Sequence, residues 1–423
     1  MSSSKKESND QKQFREYCRA WLKDNNPPAP DFRMPPTGEE IMTQEEIDYS
    51  SNWEKSAYEA GLVGCDYPKE FGGGGRESCQ IIANQEMALA KTPIFPNPVG
   101  LGWAAPTIFF HGSAVLKKQL LPKLFSGEEV WCQGFSEPGA GSDLANVQTF
   151  AERSGEKWTI NGHKIWTSCA HYSSWMILLA RTDKSDKYRG LSYFVVPIKA
   201  ALGKGVTVKS LIKISGESGF NEVFFDDLEI PDAYRLDEVG KGWDVAMTTL
   251  AHERRAGEFE IPVSGGQIQR AENKKKQPPK SNKGQQKKKE YPLVTLAKNT
   301  HRNGKPTILD PVLRDKIMQA LSVSMAIRQH RRVRNVSGIV DSPQRMAMQE
   351  KLIISEYVQD VAALAMEIEG PSSTLYVADD RAPEAGKWPL SYLSSFGGTI
   401  AGGSSEIQRN ILGERVLGLA KTK

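Results

Sequence analysis

The 423-residue chain is predicted to be an α+β protein in three parts, with helices first, then strands, then helices. Apolar residues recur at helical spacing up to about residue 130 and again from Gly242. Between them lie short β-rich runs, about ten residues apart, which is typical of a β-barrel or sandwich. We therefore predict an N-terminal helical domain over 1–130, a central β-domain over 131–235 and a C-terminal helical domain over 236–423.

The helices of the N-terminal domain are predicted from apolar faces and from the prolines between them. A first helix must end before Asn26-Pro27-Pro28, because proline cannot continue a helix. Further helices are expected over 44–60, 78–90 and 113–125. Four consecutive glycines at 72–75 indicate a turn.

The strands of the central domain are predicted from apolar and β-branched runs separated by turn residues. The dipeptide Asn161-Gly162 is typical of a two-residue hairpin, so we expect the chain to reverse there. The predicted strands are 158–160, 175–180, 191–197, 206–211 and 222–225.

The C-terminal domain contains a basic insertion. Residues 270–290 hold nine Lys or Arg against two Glu, are of low complexity and are predicted to be disordered. The chain has a net charge of +4, so the remainder is mildly acidic, at about −3. These lysines could contact nucleic-acid phosphates, but no aromatic residue interleaves them, and a solvated loop is the favoured interpretation.

Composition excludes several classes of protein. The five cysteines are widely spaced and form no CxxC, which argues against zinc sites and disulfides; we expect no metal and a reducing compartment. The N-terminus has no apolar run of a signal peptide, and no stretch of about 18 uncharged apolar residues occurs. The sequence therefore predicts a cytoplasmic protein without a membrane span.

Three local motifs could carry chemistry. The run SEPGAGSD, from Ser136 to Asp143, predicts a tight bend whose N–H groups could cradle an anion, or an ordinary β-turn. Trp166 could stack on a planar ring, or belong to the core. The glycine-dense stretch before Ser404 leads into a helix whose N-terminus could bind phosphate, or which Ser404 simply caps.

In this order and spacing, the three motifs resemble those of the acyl-CoA dehydrogenase family of flavoproteins. Gly61-Leu62-Val63-Gly64, Gly240-Lys241-Gly242-Trp243 and the stretch Ile411 to Leu419 share the resemblance, which covers nearly the whole chain from about residue 10. It implies a helical N-terminal domain, a central β-domain and a C-terminal four-helix bundle. It also implies non-covalent FAD, acyl-CoA as substrate and an electron-transfer flavoprotein as electron acceptor.

The resemblance implies a reaction and a set of site residues. A carboxylate removes the α-proton of the acyl-CoA, the β-hydrogen leaves as hydride to flavin N5, and the product is the 2-enoyl-CoA. Ser142 would contact the acyl-CoA, and Ser404 and Glu406 would approach the FAD ribose or pyrophosphate. The residues implied along the flavin ring are Gln133, Phe135, Ser136, Trp166, which would flank it, and Ser168, which would hydrogen-bond near N5.

The catalytic base is predicted to be Glu253. Many family members carry a glutamate two residues before the Ser or Thr that opens the last helix, but here that position is Gly402. A second family location is a Glu-Arg pair on the first C-terminal helix, and Glu253-Arg254 occupies it, with Arg254 assigned to substrate binding. Glu253 could instead be a surface or ion-paired helix residue next to Arg254 and Arg255, and His252 and Glu258 are lesser candidates for the base.

Two departures from the family pattern leave alternatives open. The chain lacks the Arg-x-x-Phe-Gly and Gln-x-x-Gly-Gly motifs that contact FAD in many relatives. These departures resemble a bacterial branch acting on bulky acyl-CoAs such as steroid side chains, some of whose members are α2β2 heterotetramers. The expected assembly is thus a homodimer, a homotetramer or an α2β2 heterotetramer. A non-catalytic or half-site subunit and an acyl-CoA oxidase are the alternatives to a dehydrogenase.

Overall fold

The computed structural model describes residues 7–35, 37–254, 290–333, 343–377 and 379–420. The chain forms two compact units, one of Lys6–Glu272 and the other largely of Asn273–Lys423. The segment 270–290, predicted to be disordered, lies outside the described residues except for Glu290.

Helices open the first unit. Four of them confirm the predicted N-terminal helices, whereas the short α4 was not predicted. Thr43 caps α2 in a capping box with Glu46, which explains why that helix begins where it does. The helices are α1 (Asn9–Asn25), α2 (Gln44–Glu59), α3 (Gln80–Ala90), α4 (Ala105–His111) and α5 (Ala114–Phe125).

A single eight-stranded sheet follows. Its order is β6-β7-β3-β2-β4-β5-β8, and β1 pairs with β4 in parallel. The short helix α6 (Ile198–Ala201) connects β5 to β6. The strands are β1 (Trp131–Gly134), β2 (Phe150–Ser154), β3 (Lys157–Ser168), β4 (Trp175–Arg181), β5 (Leu191–Val196), β6 (Val206–Leu211), β7 (Phe220–Pro231) and β8 (Arg235–Leu236).

Strands β4 and β5 are buried on both faces. Ile177 and Tyr193 belong to a core shared with the N-terminal helices. Their neighbours Leu178 and Phe194 belong to a second core that the sheet encloses against Trp158 and residues of β7. The alternation of side chains along a strand thus places one set in each core. The predicted three-part α+β architecture is confirmed, with one sheet as its central β-domain.

The hairpin predicted at Asn161-Gly162 is wrong. Strand β3 runs through both residues, and its register against β7 shifts between Ile160 and Gly162, which marks a β-bulge. A side chain at Gly162 would come within 2.6 Å of the Thr149 backbone, so glycine is required by close approach rather than by a turn. The chain reverses instead at Gly155, where φ is +61°.

Helix α7 (Gly242–Arg254) completes the described part of the first unit. It packs against α4 and β5. At its start, a Cβ on Gly242 would lie 2.5 Å from the backbone of Ser192 in β5, so the helix begins directly on the strand. This close approach fixes where α7 crosses the sheet.

The second unit is helical. Its core includes Leu296, Ile317, Ile368 and Trp388. Its helices are α8 (Pro292–Asn299), α9 (Pro311–Val333), α10 (Pro343–Glu369), α11 (Lys387–Gly398) and α12 (Ser405–Ile411), and a two-stranded hairpin of β9 (His301–Arg302) and β10 (Lys305–Pro306) follows α8.

Candidate active site

The run from Ser136 to Asp143 is a tight turn held against β3. Glu137 and Ala140 exchange two backbone hydrogen bonds of 2.9 and 3.0 Å, which confirms the turn. The backbone N–H of Ile165 donates to the Ser136 carbonyl at 2.9 Å. This bond fixes the start of the turn against β3. Ser136 is half-buried, and Phe135, the residue before it, is buried.

A buried ion pair between Lys164 of β3 and Glu137 holds this turn against the strand. Lys164 Nζ donates to Glu137 Oε1 at 2.8 Å and to the Phe135 carbonyl at 3.0 Å. Glu137 also accepts hydrogen bonds from the backbone N–H groups of Gln148 and Thr149. Burial would raise the pKa of Glu137, but the Lys164 ammonium holds it below its ordinary value. Burial lowers the pKa of Lys164 to about 8, although Glu137 opposes the shift.

Trp166 lies in a second irregularity of β3. The register against β7 shifts again between Lys164 and Thr167, and Trp166 has a φ of +60°. The residue is 53% exposed and its ring meets Phe220 in a T-shaped contact, so the alternative of a core tryptophan is wrong. Half-buried Ser168 ends the strand two residues later.

Trp166 and Gln133 have the chemistry to hold a planar group with a polar edge. Trp166 offers an exposed ring, and Gln133 Oε1 is a buried atom for which the described residues provide no hydrogen-bond partner. Such buried polar atoms are costly unless something bonds them. A flavin ring has flat faces of the kind that stack on an indole ring. It also has a polar edge with donors of the kind that Gln133 Oε1 would accept from.

Ser142 lies at the exposed rim of the turn. Its neighbour Asp143 pairs with Lys187 of the β4–β5 loop at 2.8 Å, and both side chains are about half exposed. Such an exposed pair contributes little to stability. Ser142 and Asp143 are therefore accessible to a polar ligand at this edge.

The end of α7 carries Glu253, which is half-buried. Thr249 lies one helical turn earlier and is fully buried, with its hydroxyl 2.9 Å from the Tyr193 hydroxyl of β5. Residues four apart share a helix face, so Glu253 lies on the side of α7 that packs against β5. Burial raises the pKa of Tyr193, and the nearby Glu253 carboxylate adds to the shift.

A second carboxyl group stands near the end of α7. Burial raises the pKa of Glu39, its neighbour Glu40 adds to the shift, and Glu253 contributes a smaller part. Lys213, which pairs with Glu40, opposes it. Glu253 is therefore close enough to the Glu39 carboxyl group to act on it electrostatically.

Two side chains of α4, Phe110 and His111, contact the exposed flank of α7. His111 lies 2.9 Å from Asp237 Oδ2 through Nδ1 and 2.8 Å from Thr248 Oγ1 through Nε2. Phe110 stacks on His252 with ring centroids 6.1 Å apart. His252, one of the two lesser candidates for the base, thus stacks on Phe110 on this flank.

The remaining predicted residues lie elsewhere. Arg254 is the last residue of α7, and its side chain, like all of Glu258, lies outside the described residues. Ser404 belongs to the second unit, where its hydroxyl accepts from Ile407 N–H, which confirms it as the N-cap of α12. Glu406 is exposed, and hydrogen bonds from its own backbone N–H and from Ser404 lower its pKa.

Sequence reasoning missed four residues that organise this region: Glu137, Lys164, Tyr193 and Thr249. A lone lysine in a strand or a lone threonine in a helix is exposed by default, and no spacing marks the partners. Among the described residues, no group of His, Cys, Asp and Glu could hold a metal ion. No helix in the described ranges is long and apolar enough to cross a membrane.

The fold and these motifs define a flavoenzyme of the acyl-CoA dehydrogenase class, and the chain belongs to the acyl-CoA dehydrogenase family. Residues 8–128 match its N-terminal domain, 132–228 its middle domain and 292–417 its C-terminal domain. The chain is accordingly a member of an oxidoreductase family, and one solved structure with the same fold, at 21% identity and a TM-score of 0.64, is an FAD-dependent dehydrogenase.

Two curated relatives and one solved structure illustrate the similarity. The chain is 35% identical over 416 residues to the acyl-CoA dehydrogenase IpdE1 of Mycobacterium tuberculosis, covering 97% of this chain and 98% of that protein. It is 34% identical over 422 residues to IpdE1 of Mycolicibacterium smegmatis, with 97% and 98% covered. The ChsE4-ChsE5 complex from Mycobacterium tuberculosis has a chain with the same fold, at 23% identity and a TM-score of 0.70, with both chains covered fully.

Proposed function

We propose that this chain is an FAD-dependent acyl-CoA dehydrogenase that converts an acyl-CoA thioester to the 2-enoyl-CoA, with Glu253 as the base that removes the α-proton. The observation that carries the proposal is the position of Glu253, on the face of α7 that packs against β5 and one turn beyond the contact of Thr249 with Tyr193. Tyr193 also packs edge-on against Phe135, one of the residues assigned to the flavin ring.

The residues assigned to FAD fit the group in chemistry. Trp166 would flank the ring, Gln133 and Ser136 would bond its polar edge, and Ser168 would lie near N5. FAD, when bound, accepts the hydride that leaves the β-carbon. Phe135, which is buried, would lie along the ring and keep water from that side of it. Ser404 and Glu406 are proposed to approach the ribose or pyrophosphate.

Glu253 is suited to accept a proton from a carbon acid. Glu253 is half-buried, and a partly desolvated carboxylate is a stronger base than one in water. The α-proton moves to a Glu253 oxygen as the hydride leaves the β-carbon, so the two electrons of the C–H bond at Cα form the new double bond. Ser142 and Arg254 are proposed to hold the acyl-CoA.

Replacing Glu253 with Gln tests this proposal. The E253Q variant should bind FAD as the wild type does, yet its flavin absorbance should bleach at least about 100-fold more slowly with any acyl-CoA that bleaches the wild type. D244N, which changes an exposed carboxylate in the first turn of the same helix, is the matched control and should bleach normally. Unchanged bleaching by E253Q would refute Glu253 as the base.

Partners and substrate class extend the proposal. We expect electron-transfer flavoprotein to reoxidise the enzyme, and peroxide formed in air at the rate of turnover would instead identify an acyl-CoA oxidase. A homodimer, homotetramer or α2β2 assembly is compatible with the family, in which the ChsE4-ChsE5 structure is a complex of two named proteins. A bulky acyl group such as a steroid side chain remains a prediction from the sequence resemblance.

The second candidate is a half-site subunit of a heteromeric dehydrogenase. It is favoured by the absence of the Arg-x-x-Phe-Gly and Gln-x-x-Gly-Gly motifs from the sequence. The visible spectrum of the purified chain separates the two candidates. Flavin absorbance with substrate bleaching supports the complete enzyme, and a colourless chain that gains flavin only with a second subunit supports the half-site.

A further inference from the structure

Three buried hydroxyl groups form a directed chain of hydrogen bonds between α7 and its neighbours. Tyr193 OH lies 2.9 Å from Thr249 Oγ1, which lies 2.9 Å from Thr107 Oγ1, and Thr107 donates to the Trp103 carbonyl at 2.7 Å. The carbonyl can only accept, so the proton of Thr107 is committed to it. Thr249 then donates to Thr107 and accepts from Tyr193, with the Val245 carbonyl a longer alternative acceptor at 3.2 Å.

The chain joins three elements in the core of the first unit. Thr107 belongs to α4, Tyr193 to β5 and Thr249 to α7, and all three residues are fully buried. Buried hydroxyls that lose a partner destabilise a site by the desolvation of the group left behind. The network therefore fixes the rotation of α7 about its own axis and its position along that axis, relative to α4 and β5.

Tyr193 connects this network to Phe135, the residue just before the SEPGAGSD turn. Its ring packs edge-on against Phe135, with centroids 5.8 Å apart and planes at 85°. Phe135 is itself tied to β3 through the bond from Lys164 to its carbonyl. One tyrosine thus contacts both the segment assigned to the flavin ring and the helix that carries Glu253.

Thr249 is the last fully buried residue of α7 before Glu253. Leu250, His252 and Glu253 are half-buried and Ala251 is exposed. Only one turn of helix separates Thr249 from Glu253, and a helix transmits rotation along its length because its backbone hydrogen bonds are internal. A change in the seating of Thr249 therefore changes where the Glu253 carboxylate lies.

We propose that Thr249, held by the hydroxyl of Tyr193, is a positioning residue that sets the height and angle of Glu253 relative to the acyl α-carbon. The inference rests on the proposed function, because it assumes that Glu253 is the base. Proton transfer requires the base within hydrogen-bond reach of the proton, and a misplacement of about 1 Å can reduce the rate on the order of 100-fold. Thr249 does not itself contact substrate in this account.

Three variants test the role of the Thr249 hydroxyl. T249V replaces the hydroxyl with a methyl group of similar size, T249S keeps the hydroxyl, and Y193F removes its partner. We expect T249V and Y193F to lower kcat on the order of tenfold with KM within about twofold, and to raise the primary isotope effect of an α-deuterated acyl-CoA. T249S should recover most of kcat, and all three should retain FAD.

A control separates positioning from stability. Thr307 in the second unit is also buried and donates its hydroxyl to the Ala297 carbonyl at 3.0 Å. T307V should lower the melting temperature about as much as T249V yet leave kcat unchanged. This comparison is made at a temperature where every variant is folded.

The outcomes distinguish the inference from the proposed function. If E253Q is inactive while T249V and Y193F keep wild-type kcat and isotope effect, the positioning role is wrong and the base stands. Equal losses in T249V and T249S would also overturn it, because the hydroxyl would not be what matters. Full activity of E253Q would instead refute the base itself. If T249V does not fold, Y193F carries the test.

Discussion

Trp166 has a backbone conformation that large side chains rarely adopt. Its φ is +60°, and Cys169 three residues later has a φ of +66°. Residues held at such angles cost about 1–3 kcal/mol each and are concentrated at functional sites. Burial of Trp166 offsets little of this strain energy, because the residue is 53% exposed. A planar ligand against the ring would account for both the strain and the exposure.

Replacing Trp166 with Gly separates these two effects. Glycine adopts positive φ without steric cost, so the free energy of unfolding of the W166G apoprotein should stay within about 1 kcal/mol of the wild type. FAD affinity, measured by flavin fluorescence titration, should fall at least about tenfold. W158F is the matched control: it loses the 2.7 Å bond from the Trp158 indole to Asp232 and should lose stability but keep FAD. Wild-type FAD affinity in W166G would contradict this assignment.

The Lys164–Glu137 pair should behave as a buried pair. K164M leaves the Glu137 carboxylate buried beside only two backbone donors, and we expect a loss of about 3–5 kcal/mol in the free energy of unfolding. The double variant K164M/E137Q should recover part of that loss, because no charge is left unpaired. Urea unfolding measures both.

The exposed pair Lys157–Glu229, which joins β3 to β7, is the control for this measurement. Its side chains are 64% and 60% exposed, and K157M should cost less than about 1 kcal/mol. Equal losses for K164M and K157M would show that the buried pair does not support the turn.

At the scale of elements, sequence patterns predicted helices better than strand ends. Prolines and apolar stripes located α1, α2, α3 and α5 because each has one buried and one exposed face. Helix α4 was not predicted because it contains Pro106, and proline is readily tolerated in a helix only in the first turn, where it lies here.

Strand β3 shows why Asn-Gly was misread. The dipeptide permits a turn, but here pairing with β7 continues on both sides of it, and tertiary contacts convert the turn signal into a bulge. The second bulge, at Trp166, has no sequence signature at all. The strained residue at the proposed site could therefore be named from the family resemblance but not from propensity.

A corner between β7 and β8 provides a pH-dependent test of the sheet. Asp232 accepts bonds from Arg235 and from the Trp158 indole, and the Arg235 hydrogen bond lowers its pKa from 3.8 to about 2. A carboxyl group with a depressed folded-state pKa stabilises the protein above its unfolded pKa and loses that contribution as pH falls through the folded value. The stabilisation is worth about 2 kcal/mol at neutral pH.

D232N should remove this contribution. Its free energy of unfolding should be lower than that of the wild type by about 2 kcal/mol at neutral pH, and the difference should shrink as pH falls from about 4 towards 2. Urea unfolding at several pH values measures it. A difference that does not change with pH would contradict the ionic origin of the effect.

At the scale of the whole molecule, local motifs identified the family, whereas long-range contacts built the site. Ser136 and Trp166 lie in recognisable runs of sequence, so the resemblance could name them. Tyr193 and Thr249 are 56 residues apart and meet only because α7 begins on β5 at Gly242. No periodicity or composition encodes such a pairing, which depends on the packing of the complete unit.

The most direct test of the account is the exchange of the substrate α-proton. An acyl-CoA that bleaches the wild-type flavin is incubated in D2O with wild type, E253Q and D244N, and deuterium at the α-carbon is followed by NMR. If Glu253 is the base, wild type and D244N incorporate deuterium and E253Q, with FAD bound, does not. Incorporation by E253Q at the wild-type rate would show that another group takes the proton and would contradict the central claim.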